Sequence, residues 1–111
     1  MSDEAPSPHE LDTTRFVPKH DAAHHRFVVH HRDGDSVLSY RRPKPGMIDL
    51  RHTVVLPRER GRGTGEALVR AALAFARENG LRVTPTCPFV AQVLAEHPEE
   101  GEGITLDQVA K

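Results

Sequence analysis

With 111 residues, 37% hydrophobic content and a formal net charge of −1 at pH 7, the chain reads as one small soluble domain with no room for a second catalytic domain. Its positive charges are 12 Arg and 3 Lys, dispersed except around one glycine-rich stretch, which argues against a nucleic-acid partner. A single Cys excludes an internal disulfide, and no apolar run approaches the roughly 20 residues of a membrane span, so a cytoplasmic protein without a membrane partner is expected.

Residues 1–23 carry Pro6, Pro8 and Pro18 among Ser, Asp, Glu and Thr, with too few apolar residues to offset ordering entropy, and read as a flexible leader. His20 and His24, with His25, His30 and His31 behind them, invite a zinc reading. A zinc site needs about four convergent ligands and no cysteine stands near these, so no metal is expected. The domain itself is expected over residues 24–99. Residues 26–31 alternate as a strand with Phe27 and Val29 on one face, Asp33-Gly34 centres a hairpin turn, and residues 37–41 return. After Pro43 and Pro45 a third strand runs over residues 47–56, with Ile48, Leu50, His52 and Val54 on one face and Asp49, Arg51 and Thr53 on the other. Three antiparallel strands in a meander follow.

Residues 64–79 set Leu68, Ala71, Ala72, Phe75 and Ala76 along one helical stripe, and Asn79-Gly80 stops the helix. A short strand over residues 81–84 completes a strand, helix, strand crossover, whose two strands should be parallel. Pro88 then opens a second helix to about Glu96, with Phe89, Val90, Val93 and Leu94 facing inward. Residues 100–111 form an acidic tail in which only Ile104-Thr105-Leu106 is suited to dock. The fold class is therefore α/β (α+β).

Between the third strand and the first helix lies Arg58-Glu59-Arg60-Gly61-Arg62-Gly63-Thr64-Gly65. Glycines at alternate positions let the backbone turn sharply, and the helix that follows directs its unpaired N–H groups at the same place, which favours a phosphate or pyrophosphate. A Walker loop is excluded because Glu66 and Ala67 stand where Lys and Ser or Thr belong. A dinucleotide fingerprint is excluded by its spacing and by a remainder too short for a doubly wound sheet. Cys87 stands just before the second helix, where a helix N-terminus stabilises thiolate, and could act as a nucleophile or be a small buried hydrophobe. His52, expected on the inward face, could be a general base or a core histidine bonded to a carbonyl.

Taken in order, His52-Thr53-Val54-Val55, Arg60-x-x-Gly63-x-Gly65, Pro85-Thr86-Cys87-Pro88-Phe89 and His97-Pro98-Glu99 resemble a compact GNAT-like N-acetyltransferase family of about a hundred residues. The resemblance implies a compact GNAT-like fold in which the two parallel strands splay apart, and acetyl-coenzyme A as the cofactor. It implies that Thr53, Val54 and Val55 line the pantetheine arm, that Arg60, Gly61, Arg62, Gly63, Thr64 and Gly65 hold the pyrophosphate, and that the thioester lies near Cys87 and His52. Acetyl transfer to a primary amine, of a protein or another large acceptor, is the activity implied, with a monomer expected. An acyl-coenzyme A binding module with little turnover is the alternative.

Overall fold

The computed structural model describes residues 17–108. Its framework is a five-stranded sheet in sequence order: β1 (Lys19–Asp21), β2 (Arg26–His31), β3 (Gly34–Arg41), β4 (Met47–Val54) and β5 (Arg82–Pro85). All neighbours are antiparallel except β4 and β5, which run parallel because helix α1 (Thr64–Glu78) carries the chain back between them. Helix α2 (Pro88–Glu96) follows β5 directly, with Pro88 at its first turn.

The meander has four strands rather than three, so the expected leader boundary at residue 23 is corrected. Lys19–Asp21 pairs with Arg26–Val28 across a single turn, Ala22–His24, closed by His25 in the left-handed region at φ 52°. Sparse apolar content gives no sign of β1, which is held by its pairing with β2 and by a single aromatic side chain. The His20 ring stacks on Phe27 at 4.3 Å, meets Phe75 edge-on at 4.4 Å and is 2.6 Å from the Tyr40 hydroxyl through Nε2. Residues 1–16, the rest of that expected leader, lie outside the described residues.

Paired residues share a face of the sheet, so the register identifies the core side. Phe27 with Leu38, Tyr40 with Leu50, and Ile48 with Val83 form its floor. Both helices close over that floor: Leu68, Val69, Ala72, Leu73 and Ala76 of α1 and Val90 and Val93 of α2 belong to the same buried cluster. Burying each Leu or Val among them contributes roughly 1.5–3 kcal/mol. The helix stop is a pair of crossed bonds, Leu81 N–H to Ala76 O at 2.8 Å and Gly80 N–H to Arg77 O at 3.3 Å, made possible by Gly80 at φ 63°.

The acidic tail docks where expected. Val83 donates to Thr105 O at 2.9 Å and accepts from Asp107 N–H at 2.8 Å, so residues 104–107 cover the outer edge of β5. Arg82 ties the same segment through the Asp107 carboxylate, and Arg70 reaches Glu100 at 2.9 Å.

Candidate coenzyme cleft and opposing groove

The site begins with an irregularity in β4. Ser39 pairs with His52 but Tyr40 pairs with Leu50, so Arg51 is an extra residue in the strand, a β-bulge. A bulge shifts the alternation by one and exchanges the two faces beyond it. Thr53 is thereby turned to the core side, opposite Leu38, while His52 and Val54 are turned out. This corrects the inward placement expected of His52: it is exposed, on the opposite face of β4 from Thr53. The general-base role that rested on an inward ring loses its basis.

Parallel pairing of β4 with β5 ends at Leu50 and Pro85, and the last tie is the Cys87 N–H to Leu50 O at 2.8 Å. Beyond it the two chains part, β4 continuing through Thr53 to Val55 and the other turning into α2. Cys87 is the N-cap residue of α2, 4% exposed, with its Sγ 3.4 Å from Thr53 Oγ1. The bulge thus brings Thr53, not His52, to the cysteine.

In the opening lies a cleft of about 490 Å³ bounded by Thr53, Val54 and Val55 on one side and by Arg60, Gly61, Gly63 and Gly65 on the other, with Phe89, Glu59 and Glu66 completing it. Of the residues expected at the coenzyme, Arg62 and Thr64 are not on its lining: Arg62 is exposed, and Thr64 is 1% exposed with its hydroxyl turned into the protein. The loop glycines serve different ends. Gly61 and Gly63 adopt φ 78° and 90°, a region other residues enter at a cost of about 1–2 kcal/mol. Gly65 is ordinary helix; a Cβ there would stand 2.8 Å from the Phe89 ring, so it is small because α2 packs against it. Phe89 was expected only as a core residue, and its place in the cleft follows from this packing.

The N-terminus of α1 has no side-chain cap, and its first backbone bond is Ala67 N–H to Gly63 O at 2.9 Å. The N–H groups ahead of Ala67 therefore lack an intrahelical acceptor and carry the positive end of the helix dipole beside the cleft, with Arg60 on its rim. An open cradle of N–H groups, with Gly61, Gly63 and Gly65 on its lining, fits a pyrophosphate.

A second hollow of about 840 Å³ occupies the other face of the sheet, lined by Asp49, Arg51, Thr84, Thr86, Arg82 and Asp107 among others. Asp49 accepts a hydrogen bond from the Thr86 hydroxyl and pairs with Arg51 at 3.1 Å. Thr86 adjoins Cys87, so this groove and the cleft approach each other where β4 and β5 part. Sequence alternation placed Asp49 on the outer face but gave no signal that it borders a hollow. The histidines of the zinc reading have local partners: His24 meets Asp21, His30 meets Asp35 and His31 meets Ser36. Among the described residues no group of three His, Cys, Asp or Glu is arranged to hold a metal.

The parallel pair of the sheet parts beside a glycine loop and an uncapped helix, and residues 26–103 match the GCN5-related N-acetyl-transferase family model. The chain belongs to that family. Its relatives include Protein NATD1 of Bos taurus, 35% identical over 72% of this chain and 73% of the relative, and Protein NATD1 of Homo sapiens, 34% identical over 72% and 73%. In fold it is similar to a GCN5-like protein from Staphylococcus aureus, with a TM-score of 0.65 at 22% identity, covering 84% of this chain and 89% of that one. No helix among the described residues is long and apolar enough to cross a membrane.

Proposed function

We propose that the protein transfers an acetyl group from acetyl-coenzyme A to a primary amine. The observation that carries this reading is the cleft itself, in which exposed strand backbone, a glycine loop and an uncapped helix N-terminus converge at the parting of β4 and β5. Acetyl-coenzyme A supplies an activated thioester carbonyl. In the reaction the ammonium first gives up one proton to water, the neutral amine nitrogen then bonds to that carbonyl carbon, the carbon–sulfur bond breaks, and the second proton lost by the nitrogen goes to the departing thiolate.

The chain's own contributions are binding and orientation. The N–H groups at the start of α1 and Arg60 hold the pyrophosphate, and the backbone of Thr53, Val54 and Val55 aligns the pantetheine arm. The amine approaches from the face not covered by helices, along the groove bearing Asp49, whose carboxylate receives its charged form and whose Thr86 contact fixes it next to the reaction point. That groove is open, which suits an amine carried on a large acceptor such as a protein lysine. Cys87 does not line the cleft but backs Thr53, which does; its 4% exposure and its Thr53 contact favour a structural role over attack by the thiol.

Intact-mass measurement after incubation with acetyl-coenzyme A, with and without a lysine-rich peptide, tests the reading. Acetylated peptide with no adduct on the protein is the expected result. Binding without product supports instead the coenzyme-binding module, and a hydroxylamine-sensitive adduct that Cys87→Ser abolishes would establish covalent transfer. At about 100 times its dissociation constant the coenzyme should stabilise the fold by roughly 2.7 kcal/mol. An unchanged melting temperature at millimolar coenzyme refutes both readings.

A further inference from the structure

Behind the glycine loop three side chains stand in the order Ser36, His31, Glu59. Ser36 is fully buried; its Oγ accepts the Leu56 N–H at 3.1 Å and lies 2.8 Å from His31 Nε2. The His31 side chain is 10% exposed and turns Nδ1 toward Glu59 Oε1 at 3.7 Å, and the same carboxylate oxygen is 3.7 Å from Arg62 Nη1. The order is that of a hydrolase triad, yet with Ser36 at 0% exposure no substrate can reach its oxygen, so the array is not nucleophilic. Its geometry is that of a clasp between the β2–β3 hairpin and the loop.

The clasp points toward the loop when the Ser36 hydroxyl donates to the ring. The Ser36 oxygen already accepts a backbone N–H, so its proton is free to go to Nε2 of a neutral ring, which leaves the ring proton on Nδ1. In a charged ring both nitrogens carry protons. Either state presents Nδ1–H to Glu59. A second tie, Arg58 to Asp33 at 2.6 Å, and the packing of the Leu56 side chain against Gly34 hold the same hairpin against the same stretch. Glu59 also lines the proposed coenzyme cleft, where an undirected carboxylate would repel a pyrophosphate.

We infer that His31 is a positioning residue for the coenzyme: anchored by Ser36, it holds the Glu59 carboxylate to the rear of the loop and leaves Arg60 and the backbone N–H groups to face the anion. This rests on the proposed coenzyme reading of the cleft. Calorimetric titration of the full chain with coenzyme A tests it through two isosteres. In His31→Asn the amide nitrogen takes the place of Nδ1 and keeps a polar N–H facing Glu59, whereas in His31→Gln the amide reaches toward Ser36 and leaves Glu59 unopposed.

The expected result is coenzyme A binding about tenfold weaker in His31→Gln and near wild type in His31→Asn. Glu59→Gln, with no carboxylate left to restrain, binds roughly threefold more tightly than wild type, and restores affinity when added to His31→Gln. The inference is overturned if His31→Gln binds as wild type, or if His31→Asn is the weaker of the pair, which is the pattern of a histidine that merely anchors to Ser36. Weaker binding by Glu59→Gln, in which His31 is untouched, overturns it without depending on how the histidine variants fold. If wild type fails to bind coenzyme A, the proposed function falls and takes this inference with it.

Discussion

Gly65→Ala asks whether the third loop glycine is there for the ligand or for α2. Replacing Gly by Ala inside a helix ordinarily stabilises by about 1 kcal/mol. Here the new Cβ would lie 2.8 Å from both Cε2 and Cζ of Phe89 and 3.5 Å from Val55 Cγ2, and forcing extra volume into a packed site costs about 1–3 kcal/mol. The net effect is a loss of about 0–2 kcal/mol, and at its midpoint a fall in melting temperature of about 4–8 °C for a domain of this size. Phe89 lines the cleft, so the displaced ring should also weaken coenzyme binding. Chemical denaturation of a double-mutant cycle with Phe89→Leu isolates the cause: once the ring is gone, Gly65→Ala should change sign and stabilise by up to about 1 kcal/mol. Gly61→Ala is the contrast, since nothing lies within 4 Å of its Cβ and its cost of about 1–2 kcal/mol comes from φ 78° alone, whatever stands at position 89. A rise in melting temperature for Gly65→Ala beside an intact Phe89 would refute the packing argument.

Three further outcomes follow from the fold. Deleting residues 1–23 removes β1 and the His20 contacts with Phe27, Phe75 and Tyr40, so thermal melts should show a clear loss of stability. The pKa of His20 is held below its ordinary 6.5, chiefly by burial and then by the nearby Arg42 charge, so the folded state binds fewer protons on this ring than the unfolded state. The stability it contributes is complete above about pH 6.5 and is lost as pH falls through the folded value, so His20→Phe should flatten the fall in melting temperature between pH 7 and pH 5. Deleting residues 104–111 leaves both backbone groups of Val83 unpaired and bares the β5 edge; a loss of about 1–3 kcal/mol in urea titration, with concentration-dependent light scattering, is expected.

What the sequence determined by itself was everything written in local period and local chemistry. The stripe from Leu68 to Ala76, the Asn79-Gly80 stop and the proline opening α2 each act within a turn or two of the chain, and α1 and α2 lie where those signals put them. The glycine loop was legible for the same reason, because alternate glycines ahead of a helix constrain the backbone whatever surrounds them. Tertiary structure decided which way side chains face once strands pair. The alternation that joined His52 to Ile48 and Leu50 is broken at Arg51 by the register with β3, and no residue of β4 announces that insertion. One extra residue turned His52 outward and carried Thr53 to Cys87. The same holds for β1, whose histidine ring packs against residues of β2, β3 and α1, and for Gly65, whose size answers to Phe89 on another helix. Contacts between segments far apart in the chain leave no period in either segment, and they were settled only when the sheet closed under its two helices.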